Sequence, residues 1–187
     1  MRLKALVVIG MVAALPAFGQ GTINFGTTPG ATGTPEGGKV YIDSIGGTPA
    51  EGTAYWAQLY ADNAGTMTAI GAPVNFRTGG AAGYVVASQV AVPWAAPGTE
   101  VAVEMRAWDA ASGNSYEAAL GANGVVGVSA LLPNVGPLGG TPAGGLPITD
   151  PNLVGLTPFT ITQVPEPSTL ALLALGAAGL MLRRRKQ

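Results

Sequence analysis

The stretch Thr99-Glu100-Val101-Ala102-Val103-Glu104-Met105-Arg106-Ala107-Trp108-Asp109 alternates between two sets of residues. Val101, Val103, Met105 and Ala107 fall on one side, and Glu100, Ala102, Glu104, Arg106 and Trp108 on the other. A period of two belongs to a β-strand, whose successive side chains point to opposite faces; a helix cannot gather either set on one stripe. The pattern predicts a strand over residues 99–109 with Val101, Val103 and Met105 in a core and the second face turned to water or to a partner.

Outward from this strand the chain repeats the same theme in shorter pieces. Residues 54–61 (AYWAQLYA) carry the aromatic enrichment of a strand and are followed by Asp62-Asn63-Ala64-Gly65, a turn by composition. Further short strands are predicted at 22–25, 39–43, 67–70, 74–77, 83–92, 116–119, 125–132 and 156–162. Most of the 29 glycines and 15 prolines lie between these segments or at their ends, where they punctuate the chain. With no amphipathic helix pattern between the strands and no internal repeat, the expected fold class is mainly β: a single antiparallel β-sandwich, jelly-roll or immunoglobulin-like. The expected domain spans residues 20–132, with a Gly/Pro-rich loop or linker at 133–152 and a last strand within 153–163.

By parity, Trp56 and Tyr60 share a face with Gln58, and Trp108 shares one with Glu104 and Arg106. If the two strands lie in one sheet, these rings form a platform on which sugar rings could stack, and Trp56, Tyr60 and Trp108 are the candidate glycan-binding residues. The competing reading is that such large side chains are buried under loops.

Composition excludes several chemistries. The chain has neither cysteine nor histidine, so disulfides, thiol catalysis, Ser-His-Asp triads and transition-metal sites built on imidazole or thiolate are absent; no catalytic, metal or cofactor-binding residue is assigned. Asp62, Asn63, Asp109 and Asn114 stand in predicted turns but match no calcium-loop spacing, and Gly79-Gly80 and Gly139-Gly140 are turns, not phosphate loops. Glu104, Asp109 and Glu117 form the densest acidic group, the one place where an alternative function, a secreted carbohydrate-active enzyme using carboxylates, could reside. Residues 20–164 hold three cations, Lys39, Arg77 and Arg106, against nine carboxylates, a net charge of −6 that argues against nucleic acid as a partner.

Six of the nine basic residues lie at the chain ends. Arg2 and Lys4, an apolar run from Ala5 to Ala14 and the small-x-small site Ala17-Phe18-Gly19 read as a secretory signal peptide over residues 1–19, which places the start of the mature chain at Gln20. The other end, Val164 to Gln187, reads VPEPSTLALLALGAAGLMLRRRKQ. Pro165-Glu166-Pro167 makes a rigid turn, and the uncharged run from Leu170 to Leu182 suits a transmembrane helix. Arg183, Arg184, Arg185 and Lys186 hold the end on the cytoplasmic side. The span is shorter than the roughly 20 residues of a stable anchor. Turn, short helix and basic cluster, in that order, resemble the PEP-CTERM sorting domain of exported bacterial proteins; a plain C-terminal anchor is the competing reading.

The resemblance implies a protein exported across the inner membrane, anchored there transiently and delivered to the cell surface or the extracellular matrix. It also implies a membrane-embedded protease, exosortase, that recognises Pro165-Glu166-Pro167 and processes the tail, and an association with exopolysaccharide. The expected partners are exosortase, the export machinery and the membrane. The expected role of the β-domain is structural or adhesive rather than enzymatic.

Overall fold

In the computed structural model, residues 19–165 are described. The predicted signal peptide, except its last residue Gly19, lies outside the described residues, as do Glu166, Pro167, the apolar run and the basic cluster Arg183–Lys186. Among the described residues no helix is long and apolar enough to cross a membrane.

Among the described residues, nine strands and two short α-helices follow in the order β1 (Gly21–Phe25), α1 (Pro29–Thr32), β2 (Val40–Ile42), β3 (Tyr55–Asn63), β4 (Thr66–Asn75), β5 (Ser88–Val92), β6 (Val101–Asp109), α2 (Tyr116–Gly121), β7 (Val125–Val128), β8 (Leu132–Val135) and β9 (Phe159–Gln163). The long alternating strand is the centre. Along one edge β6 pairs antiparallel with β3, from Tyr55 opposite Asp109 to Ala61 opposite Val103. Its other edge is shared: β8 takes the first half, at Val101 and Val103, and β7 the second, at Arg106 to Trp108. The large sheet runs β2-β9-β7-β6-β3-β4, with β8 beside β6, and β1 pairs with β5 in a separate two-stranded sheet.

The face of β6 carrying Val103, Met105 and Ala107 and the face of β3 carrying Ala57, Leu59 and Ala61 are buried, as the alternation predicts. They join Ile23, Phe25, Val90 and Val92 of the small sheet in one hydrophobic cluster that also takes in Val40, Leu138, Leu153, Leu156 and Ile161. Burial of apolar surface at roughly 25 cal/mol per Å² makes this shared core the main source of stability in a chain without disulfides. Gly127 on β7 shows how closely the strands approach: a Cβ there would run into the carbonyl of Thr160 on β9.

The fold is mainly β, and it differs from the expectation in five respects. First, the sheet is mixed, because β2 runs parallel to β9, Val40 beside Phe159 and Ile42 beside Ile161, a pairing of distant segments that no local pattern announces. Second, residues 67–70 and the first half of the predicted 74–77 segment belong to one strand, β4, which continues through Gly71-Ala72-Pro73 and ends at Asn75. Gly71 takes φ +62, and the pairing with β3 shifts register between Ala57 and Leu59, so the glycine marks a bulge rather than a break. Third, residues 83–92 form a strand only from Ser88, and residues 125–132 divide into β7 and the start of β8.

Fourth, residues 133–152, expected as a loop or linker, are a loop packed onto the domain. The segment completes β8, buries Leu138 and pairs through Gly139 with Thr22 and through Gly140 with Ile148. Asp150 accepts hydrogen bonds from the Thr22 hydroxyl and from Gln89 Nε2. Fifth, residues 116–119 are helical, within α2. Ser115 caps it by accepting from Ala118 N–H at 3.2 Å, Glu117 favours the positive end of the helix dipole, and Ala118, Ala119 and Leu120 are good helix formers.

Candidate functional site

The second face of β3 and β6 holds the three candidate rings, Trp56, Tyr60 and Trp108, with Glu104 and Arg106 beside them. Trp56 and Trp108 are direct cross-strand partners, with ring centroids 6.2 Å apart. Tyr60 stands opposite Glu104 on the same face. Sheet and parity therefore bring the three rings together, but α2 lies over them. Trp108 is 0% exposed and Tyr60 2%, packed with Tyr116 and Ala119 of the helix and Val126 of β7. Trp56 alone keeps partial exposure. An open platform of three rings is not formed; the helix that the strand reading of 116–119 missed is what covers it.

Arg106 fastens that cover. Its guanidinium lies 4.0 Å from the Tyr60 ring centroid and 5.0 Å from that of Tyr116. It reaches Glu104 at 2.7 Å and Glu117, on the helix, at 3.3 Å. The Tyr60 hydroxyl donates to Glu117 at 3.1 Å, and Trp108 Nε1 donates to the carbonyl of Gly113 at 2.9 Å. Two of the three candidate carboxylates thus converge on one cation between two aromatic rings. The third, Asp109, accepts from the backbone N–H of Ala111 and from the Ser112 hydroxyl, the ordinary work of a turn cap.

Burial raises the Tyr60 phenol well above its ordinary value of 10.0, and the bond to Glu117 adds to the shift. Tyr116 is raised by burial too, as are Tyr55 and Tyr41, with neighbouring carboxylates contributing to each. A phenol whose folded value is raised holds its proton while the unfolded chain releases it. These tyrosines therefore contribute stability that is present below about pH 10 and lost as pH rises beyond it, by up to about 1.4 kcal/mol per pH unit for each proton. Denaturant titrations at pH 8, 10 and 11 are expected to show a midpoint that falls most steeply over the last interval, and Tyr60→Phe is expected to reduce that fall.

The other notable site is the exit of the tail. β9 ends at Gln163, whose Nε2 donates to the carbonyl of Asn123, and Val164 N–H donates to the carbonyl of Gly124 at 3.1 Å. Asn123, at φ +54, turns the chain after α2 so that these two carbonyls form a ledge beneath the tail. Val164 also packs against the Tyr60–Trp108–Tyr116 cluster, while Pro165 is exposed. The aromatic cluster, the helix and the root of the tail are one unit. Tyr116, Asn123 and Gly124 were not identified from the sequence; Ser115 followed by Glu117 and an alanine pair was the signal for the helix that carries them.

A compact β-domain whose last strand runs straight into a C-terminal signal is a cargo with its address attached. Residues 163–186 match the family described as the PEP-CTERM protein-sorting motif. Comparison with curated proteins and with solved structures finds no match. The match is confined to the tail and implies export, membrane-associated sorting toward the cell surface and exosortase as the processing partner.

Proposed function

We propose that this chain is an exported surface or extracellular-matrix protein whose tail is its sorting signal and whose β-domain is a non-enzymatic structural or adhesive element. Its signal peptide at 1–19 directs export, the short apolar run anchors it transiently in the inner membrane, and processing frees the domain at the outer surface. The observation that carries this reading is the overlap of signal and fold. The matched motif begins at Gln163, the final residue of β9, and the Pro-Glu-Pro element opens at the exposed Pro165, immediately beyond the ledge. The first residue of the element is thus exposed at the edge of a folded domain, which supports access by a protease.

The disposition of the carboxylates favours the non-enzymatic reading over the carbohydrate-active enzyme. Glu104 and Glu117 are joined through Arg106, and two cavities of the domain, of about 320 and 290 Å³, are lined by other residues. Association with exopolysaccharide, if it uses this face, must use Trp56 and not the covered Tyr60 and Trp108.

Replacing Pro165, Glu166 and Pro167 together by alanine, in a host that has exosortase, is expected to leave a full-length, membrane-held protein and to abolish surface delivery. Cell fractionation with intact-mass measurement reads both effects. Unchanged delivery and an unchanged mature mass in the variant would refute the sorting role of the element.

A further inference from the structure

The export cut after Gly19 leaves Gln20 as the first residue of the mature chain. An N-terminal glutamine carries both partners of a cyclisation, an α-amine and a side-chain carboxamide that can close a five-membered ring. The fold leaves this residue free to react and grips the chain only from the next one. Gly21 N–H donates to the carbonyl of Ala95 at 2.7 Å and Thr22 N–H to that of Gly139 at 3.1 Å, while Gln20 is exposed. Gln20 borders a cavity of about 290 Å³ whose other walls, once Gly19 is gone, are Pro93, Trp94, Ala95 and Ala96. None of these lining residues is acidic. A free N-terminus would set an ammonium at the mouth of this cavity with no acidic lining residue to pair with it, whereas a lactam is neutral and presents an apolar ring edge.

We infer that Gln20 is a modification site at which the mature chain is closed to an N-terminal pyroglutamate. The unprotonated α-amine attacks the side-chain Cδ, a bond forms between them, the bond from Cδ to Nε2 breaks, and the displaced nitrogen leaves as ammonia with the proton lost by the amine. Nothing is oxidised or reduced. The product lacks the positive charge created by the cut and is closed to aminopeptidases, a useful property for a chain outside the cell. The inference rests on the export reading through the position of the cut.

The test is N-terminal analysis of the mature protein recovered from the surface or medium of the producing bacterium. Its first peptide is expected to start at Gln20 and to weigh one ammonia less than the linear form. Edman degradation is expected to be blocked until pyroglutamyl aminopeptidase removes the ring, and then to read Gly21, Thr22, Ile23 and Asn24. The Gln20→Ala variant, cut at the same bond, is expected to read alanine in the first cycle without enzyme. A linear Gln20 with a free amine as the main species overturns the modification and leaves the export reading standing. A first residue other than 20 overturns the modification and the position of the cut, and the two failures are told apart by the residue found.

Discussion

Trp108→Ala is expected to lower the thermal midpoint of the β-domain by about 10–15 °C, because removing a fully buried indole costs roughly 3–5 kcal/mol and a domain of this size loses about 3 °C per kcal/mol. The indole is 0% exposed and is the common neighbour of Trp56, Tyr60 and the helix residues Tyr116 and Ala119. The substitution also leaves the carbonyl of Gly113 without its donor, whereas Trp108→Phe keeps most of the volume and loses chiefly that bond. Differential scanning calorimetry of the domain is therefore expected to rank wild type above Phe and Phe well above Ala. A loss of only a degree or two in the alanine variant would mean that α2 does not seal this face.

Arg106→Met is expected to cost about 2–4 kcal/mol, an estimate set by breaking one side of a largely buried ion pair. The side chains of Arg106 and Glu104 are 18% and 14% exposed, so the pair is poorly screened and Glu104 would be left charged without its partner. The bridge to Glu117, whose side chain is 58% exposed, contributes much less. A double variant, Arg106→Met with Glu104→Gln, removes the stranded charge and is expected to be more stable than Arg106→Met alone, despite carrying one substitution more. Urea denaturation of the four members of the cycle measures the coupling. Strict additivity would show that the Arg106–Glu104 pair contributes no coupling and that the cost of Arg106→Met comes from its other contacts, among them the stacking between Tyr60 and Tyr116.

The tail and the central strand were legible for the same reason: their information is local. The Pro-Glu-Pro turn, the uncharged run and the basic cluster are contiguous, and their order can be read without knowing what the domain looks like. Val101, Val103 and Met105 announce a buried face because the strand period converts sequence parity directly into sidedness. The same parity placed Trp56, Tyr60 and Trp108 together on the opposite face.

Whether that face is open or closed is a different kind of fact. It depends on a six-residue helix arriving from outside the sheet, and a segment that short is marginal by itself in water and is stabilised by what it packs against. The carboxylates behave alike. Glu104 and Arg106 are neighbours by spacing, but Glu117 joins them only because α2 crosses over β6.

The sequence by itself determined the address, the β class and the two faces of the central strands, because each is written in adjacent residues or in a period of two. Only the tertiary structure decided that β2 lies parallel to β9, that residues 133–152 complete the core, that α2 covers the aromatic face and that the tail leaves from a ledge made by Asn123 and Gly124. These features join segments far apart in the chain, or rest a short helix on the face of a sheet. They follow from which apolar surfaces find each other as the domain collapses, and no local pattern records that choice.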